Sequence, residues 1–160
     1  GLHFKAIETP GHAKHHHAWH LLESGDLFTG DAAAMRVPGT GWITVPMPPP
    51  DLDLNQWGST IDLLRAGPWK RFRLTHGGMV EDMNAHLDQL VSSMAAQVEW
   101  ISNSVGMPDR HDRYRDVLRE ESLPWGVCDD LFRDHVRQGH IDMNLMGVDR
   151  WLQSQRNSCA

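Results

Sequence analysis

The first part of the chain, and a short stretch beyond its proline-rich middle, carries the short apolar and alternating runs that are typical of strands. The period of two is clearest at the start, where the run ends in the turn-forming Thr9-Pro10-Gly11. Two later runs are joined by Ser24-Gly25-Asp26, which predicts a β-hairpin. Four strands are therefore predicted, over residues 2–8, 17–22, 27–29 and 71–75.

Apolar positions at helical spacing dominate the rest of the chain. Asp53 is placed to cap a helix that Gly67-Pro68 would end, and the apolar stripe from Met83 to Ile101 predicts one buried helical face. Residues 37–50 contain five prolines, too many for a helix or an interior strand, and are predicted to form a loop. Five helices are predicted, over residues 54–66, 80–104, 109–120, 125–138 and 142–153.

This order of elements predicts an α+β fold with two regions. Residues 1–78 would form a strand-and-loop region, and residues 79–160 a helical region that packs on it. Within the proline-rich segment, Trp42 and residues 46–50 would form either one wall of a cleft or a rigid surface loop. Because the chain begins at Gly1 and opens directly into a predicted strand, we expect further sequence upstream.

Composition and charge narrow the classes of protein that fit. With 40% hydrophobic and 22% charged residues, the 160-residue chain has a globular composition and is long enough to bury a core. The formal net charge of -6 argues against binding to nucleic acid. No apolar run approaches the ~20 residues that cross a membrane. Two cysteines, Cys128 and Cys159, are too few for a disulfide framework, which favours a cytoplasmic location.

Three residues of metal-binding type follow predicted strand ends. His12 comes after the turn that ends the first strand, Asp31 ends the third strand, and His76 ends the fourth. Loops beyond strand ends often carry reactive groups, because the sheet holds them rigidly. Histidine and carboxylate are the ligands that a divalent transition metal takes in a hydrolytic site. Two histidines and a carboxylate that can bridge two ions suit the activation of water near neutral pH.

The motifs around these residues resemble the second half of the metallo-β-lactamase superfamily, in particular the glyoxalase-type branch of hydroxyacylglutathione hydrolases. The matching segments are TPGHAKHH at residues 9–16, LFTGD at residues 27–31 and LTHGG at residues 74–78. The resemblance implies that His12 and His76 bind one metal each and that Asp31 bridges both metals as the catalytic carboxylate. It places His16 beside the metals or facing the substrate. The main ligand motif of the family, His-x-His-x-Asp-His, is absent from these residues.

The resemblance also implies a fold and an activity. Residues 1–78 would be the C-terminal half of a metallo-β-lactamase αβ/βα sandwich, and residues 79–160 a helical tail. The complete protein would be a metal-dependent hydrolase in which two divalent metals, Zn²⁺ first among them, activate water to cleave a thioester, ester or lactam. We expect it to bind a small-molecule substrate and to bind neither nucleic acid nor a membrane. Whether it forms a homo-oligomer stays open. We expect the isolated chain to be inactive, because it lacks the first ligand motif.

Simpler interpretations of these residues stay open. His12 and His76 could be ordinary turn or loop histidines, and Asp31 a turn carboxylate after glycine. The cluster at residues 15–17 and His20 could chelate a metal, although a structural role is our first interpretation of it. Two other functions compete with the hydrolase, namely a non-catalytic metal-binding module that uses this cluster and a protein-interaction module that uses the helical tail.

Overall fold

A computed structural model describes residues 1–158, and its central layer is a five-stranded sheet. The strands are β1 (Phe4–Glu8), β2 (His17–Leu21), β3 (Asp26–Gly30), β4 (Met35–Arg36), β5 (Ile43–Thr44), β6 (Arg71–Leu74) and β7 (Gly78–Val80). Their order in the large sheet is β1-β2-β3-β6-β7, while β4 and β5 form a separate pair. Strands β3 and β6 run parallel and the other neighbours are antiparallel. All four predicted strands are confirmed.

The turns between strands follow the predicted chemistry. The hairpin of β2 and β3 is confirmed, with Gly25 at a left-handed φ of 74° and its N–H bonded to the carbonyl oxygen of Leu21 at 2.9 Å. Glycine takes this conformation without the steric cost that a side chain would meet. The parallel pairing of β3 with β6 brings the ends of both strands to one edge of the sheet. This edge is where the candidate site lies.

Residues 1–158 contain five α-helices, and most of the predicted ones are confirmed. They are α1 (Leu54–Ala66), α2 (Met83–Asn103), α3 (Arg110–Ser122), α4 (Asp129–His135) and α5 (Gln138–Ser158). Helix α1 has the predicted bounds because Asp53 caps it, accepting hydrogen bonds from the backbone N–H groups of Asn55 and Gln56 at 3.0 and 3.1 Å.

Three of the predicted helices have different boundaries in the structure. Val80 belongs to β7 rather than to α2, because it pairs with Phe72 and is buried against the core. The helix predicted over residues 125–138 is shorter, since a 3₁₀ turn (Leu123–Trp125) ends at the left-handed Gly126 before α4 begins. The last helix begins earlier than predicted and extends to Ser158. Cys159 lies outside the described residues.

Within the proline-rich segment before α1, residues 42–47 lie in the interior, whereas residues 48–50 are partly or fully exposed. Residues 42–47 are all buried, and Trp42 stacks on Phe132 of α4 with the ring centroids 5.8 Å apart. One continuous core joins this segment to the helices; its buried members include Ile43, Val45, Leu87, Tyr114 and Val148. The segment therefore lies between the sheet and the helical region. The division at residue 78 stays a prediction.

The two faces of the large sheet differ. One face packs on the helices through residues such as Ala18, Leu27 and Phe72, all with no exposed surface. The other face is open: Phe4, Trp19, Phe28 and Met79 are each between 39% and 49% exposed. Within the described residues, no helix combines the length and apolar character that crossing a bilayer requires.

Candidate metal centre

The position of His12 is set by a tight contact between the turn after β1 and the start of α1. Gly11 has a φ of 131°, and a Cβ built on it would lie 2.3 Å from the Cα of Trp57. The Gly11 carbonyl oxygen also accepts a hydrogen bond from the N–H of Asp53 at 2.8 Å. Because glycine has no side chain, the backbone of the turn can lie directly against α1. This contact carries His12 to the edge of the sheet.

The ring of His12 is fixed in one orientation. Its Nδ1 lies 2.9 Å from the carbonyl oxygen of Pro46, which can only accept a hydrogen bond, so Nδ1 carries the proton. Nε2 is therefore the basic nitrogen, and it lies 3.7 Å from Oδ2 of Asp31. The His12 side chain is only 13% exposed and contacts the ring of Trp57 edge to face, with the centroids 5.6 Å apart. This is how a metal-binding histidine is usually oriented.

Asp31 begins the turn after β3, and its backbone is held by His16. The Asp31 N–H donates to Nε2 of His16 at 3.2 Å, while Nδ1–H of His16 donates to the hydroxyl of Thr9 at 2.7 Å. Both ring nitrogens are thus engaged, and burial, followed by the charge of His12, lowers the pKa of His16. Gly30 makes room for this contact, since a Cβ there would lie 2.4 Å from Nε2 of His16.

The donor atoms of His12 and Asp31 fit a divalent metal ion. Two ligands on one tetrahedral zinc lie about 3.4 Å apart, given bonds of about 2.1 Å. The 3.7 Å between Nε2 and Oδ2 is close to this separation. The other carboxylate oxygen, Oδ1 of Asp31, is buried and has no hydrogen-bond partner. An orphaned buried oxygen is unfavourable unless a cation or water meets it. The two residues would supply half of the four ligands that zinc usually takes.

His76 is not brought into this pair. It lies in the turn between β6 and β7, is exposed, and its backbone carbonyl oxygen accepts from the N–H of Arg36 at 3.0 Å. Its side chain lines a cleft of about 710 Å³ together with Arg36, His135 and Arg137. Among residues 1–158, no three or more His, Cys, Asp or Glu side chains form a group that could hold a metal. The role of His76 as a ligand therefore stays a prediction.

The histidine cluster is held by local contacts instead. Nδ1 of His17 lies 2.9 Å from the carbonyl oxygen of His15, and the ring of His20 packs edge to face on Trp69 with the centroids 5.1 Å apart. In the part of the chain that the structure describes, these residues do not form a metal-holding group. The arrangement fits the structural interpretation of the cluster.

Several residues that support the turn after β3 could not be predicted from the sequence. Trp57 donates from Nε1 to the carbonyl oxygen of Ala32 at 2.8 Å, and His86 of α2 donates from Nε2 to that of Ala33 at 2.8 Å. Nδ1 of His86 accepts from Arg36 at 3.2 Å, and burial lowers the pKa of His86 to about 4. Together they fix the turn that begins at Asp31. His86 adjoins the predicted apolar stripe, which was the only signal of its burial.

Comparisons with known proteins agree with the resemblance at the level of the superfamily. No family model matches the chain. A metallo-β-lactamase fold-containing protein of Sulfurisphaera tokodaii is 32% identical over 100 residues, which are 61% of this chain and 36% of the relative. This chain thus spans about a third of the length of the curated relative that it matches.

Solved structures extend the comparison. The crystal structure of a metallo-β-lactamase family protein of Thermus thermophilus matches 95% of this chain and 44% of its own, with a TM-score of 0.57 and 22% identity. An archaeal metallo-β-lactamase superfamily protein of Sulfolobus tokodaii matches 57% of this chain and 34% of its own, at 30% identity and a TM-score of 0.48. The predicted α+β fold of metallo-β-lactamase type is confirmed by the Thermus structure. The glyoxalase-type branch stays a prediction.

Proposed function

We propose that this chain supplies part of the metal centre of a hydrolase with the metallo-β-lactamase fold. The observation that carries the proposal is the pair formed by Nε2 of His12 and Oδ2 of Asp31, 3.7 Å apart. Nδ1 of His12 and the backbone N–H of Asp31 are both held by hydrogen bonds, so the two donor atoms lie near each other without bonding to each other. The shared fold and the motif around Asp31 support the same conclusion.

The residues of this chain would act by orienting and holding charge. His12 presents Nε2 because the carbonyl oxygen of Pro46 retains the proton on Nδ1. Asp31 contributes negative charge and an acceptor oxygen, and His16 holds its backbone in place. A divalent metal, when bound, supplies Lewis-acid polarisation and lowers the pKa of water. The remaining ligands would come from solvent or from groups outside residues 1–158, with His76 as a candidate for a second ion.

For the whole protein we propose a thioester as the first substrate class to test, with other esters and lactams as alternatives. The proposal includes two divalent metals, with zinc first, a small-molecule substrate rather than nucleic acid, and a cytoplasmic location. The net charge of -6 supports the exclusion of nucleic acid. A homo-oligomer is compatible with this proposal.

We expect Asp31→Asn to abolish most metal binding by the chain. The substitution keeps the size of the side chain but removes the negative charge and one acceptor oxygen. Loss of an outer-shell partner typically weakens metal binding by about 10–100-fold, and loss of a ligand should exceed this range. Titration with Co²⁺, followed by its visible absorption, measures the affinity of the wild type, of Asp31→Asn and of His12→Gln.

The matched controls are His15→Gln and His17→Gln, in the nearby histidine cluster. We expect both to bind Co²⁺ like the wild type. If these two variants lose binding while Asp31→Asn retains it, the cluster is the metal site and the competing metal-binding module is correct. Variants Asp31→Asn and His12→Gln that both bind Co²⁺ as tightly as the wild type would contradict the proposal directly.

A further inference from the structure

Helix α5 holds the backbone segment that orients His12. The side-chain amide of Asn144 donates to the carbonyl oxygen of Val45 at 2.9 Å and accepts from the N–H of Met47 at 2.9 Å. These two backbone groups flank Pro46, whose own carbonyl oxygen accepts the proton of His12. The buried side chain of Asn144 therefore hydrogen-bonds to the backbone on both sides of Pro46, the residue that orients His12.

A close backbone contact beside these two hydrogen bonds supports the same arrangement independently. Gly147 lies three residues after Asn144 and so on the same side of α5. A Cβ built on Gly147 would lie 1.9 Å from the carbonyl oxygen of Met47 and 3.1 Å from the carbonyl carbon of Pro48. Only glycine allows α5 to pack this closely on the segment. The contact holds Asn144 within hydrogen-bond distance of its two partners.

The amide of Asn144 has only one orientation that satisfies its neighbours. Its nitrogen also donates to the hydroxyl of Tyr114 at 3.1 Å, and that hydroxyl donates to Oε1 of Gln97 at 2.8 Å. Gln97 in turn donates to Glu121 of α3 at 3.0 Å. Asn144 and Tyr114 have no exposed surface. Because the Val45 carbonyl oxygen can only accept and the Met47 N–H can only donate, a flipped amide would leave buried groups unpaired.

We propose that Asn144, held in place by Gly147, is a positioning residue for His12. The hydrogen bonds of Asn144 fix the position of the Pro46 carbonyl oxygen. Because this oxygen retains the proton on Nδ1 of His12, the unprotonated Nε2 faces Asp31. The helical region thereby sets the tautomer of a ligand that lies near the start of the chain. The consequence for metal affinity rests on the proposed function, whereas the effect on the His12 tautomer does not.

The test measures the tautomer of His12 in the metal-free chain by long-range ¹H–¹⁵N NMR, at one pH where the ring is neutral. We expect the wild type to show the Nδ1–H tautomer, and Asn144→Ala and Gly147→Ala to show a mixture of both tautomers. Circular dichroism identifies the variants that fold. Tyr114→Phe, which removes only one hydroxyl, provides a milder loosening of Asn144 and a change in the same direction, should either larger substitution prevent folding.

The matched control is Gly139→Ala, on the same helix, where an added Cβ would meet no atom within 4 Å. We expect its His12 signals to equal those of the wild type. Folded variants of Asn144, Gly147 and Tyr114 that all retain the wild-type tautomer would overturn the proposal. So would a change in Gly139→Ala as large as that in Gly147→Ala.

Titration of the same variants with Co²⁺ separates this inference from the proposed function. If the wild type binds Co²⁺, we expect Asn144→Ala and Gly147→Ala to bind it more weakly by the inverse of the fraction that keeps the Nδ1–H tautomer, about two-fold for an equal mixture. If Asp31→Asn binds Co²⁺ like the wild type but the tautomer still shifts in the positioning variants, the metal function fails and the positioning role stands. Variants with a shifted tautomer and wild-type affinity would refute the link between positioning and metal binding.

Discussion

Replacing Gly11 by alanine should lower the free energy of unfolding by between about 2 and 5 kcal/mol. A φ of 131° is unfavourable for any L-residue, and conformations with positive φ cost about 1–2 kcal/mol. The new Cβ would also lie 2.3–2.5 Å from the backbone and Cβ of Trp57, which α1 holds in the core. Overpacking of this kind adds about 1–3 kcal/mol. Because His12 follows directly, the same substitution should weaken Co²⁺ binding.

Urea unfolding monitored by circular dichroism measures this loss. Gly39→Ala is the matched control, because Gly39 has a φ of 77° but no atom lies within 4 Å of the added Cβ. We expect Gly39→Ala to lose only the conformational part, about 1–2 kcal/mol. Equal losses in the two variants would show that α1 yields to the new methyl group and that the turn is not rigidly seated.

Acidification should destabilise the chain through His86. Burial lowers the pKa of this ring in the folded state to about 4, against 6.5 for the ordinary side chain. In the unfolded chain the ring takes up a proton below pH 6.5, so the unfolded state binds more protons and gains stability as the pH falls. The contribution is fully present above pH 6.5 and declines as the pH falls to 4. Its loss amounts to about 3 kcal/mol.

His86→Gln isolates this contribution. Glutamine can donate to the Ala33 carbonyl oxygen and does not titrate, so its stability should fall less between pH 7 and pH 4 than that of the wild type. Other groups affect the slope of both proteins equally; burial raises the pKa of Glu121, for example, and this opposes the effect of His86. The measured quantity is the difference between the two free energies of unfolding at each pH. A difference that does not change with pH would contradict the prediction.

Local chemistry explains which elements could be predicted from the sequence. Helix α1 has the predicted bounds because its ends are determined locally, by the carboxylate of Asp53 and by Gly67-Pro68. Strand β7 was missed because three residues after a glycine turn carry no pattern of their own. Val80 becomes part of a strand only because β6 lies beside it and Phe72 pairs with it. Such pairing is a property of the folded chain rather than of the segment.

The candidate site shows the same limit. His12 and Asp31 could be found because short motifs surround them, and the fold brings them together. The Pro46 carbonyl oxygen could not be found, since every residue carries such a group and the contact joins positions 34 apart in sequence. Asn144 could not be found either, because its partners Met47 and Val45 lie 97 and 99 positions away in sequence. His76 matched its motif, but the turn back into β7 leaves its side chain exposed and outside the pair.

Because Trp57 contacts His12, its fluorescence can report metal binding at the candidate centre. The indole of Trp57 is fully buried and its centroid lies 5.6 Å from that of the His12 ring. A paramagnetic ion held by Nε2 of His12 would quench indole fluorescence at such short range far more than that of distant tryptophans. The chain contains seven tryptophans, so the difference between the wild type and Trp57→Phe extracts the relevant emission. Occupancy of the centre could then be followed in real time, in dilute solution and without any label.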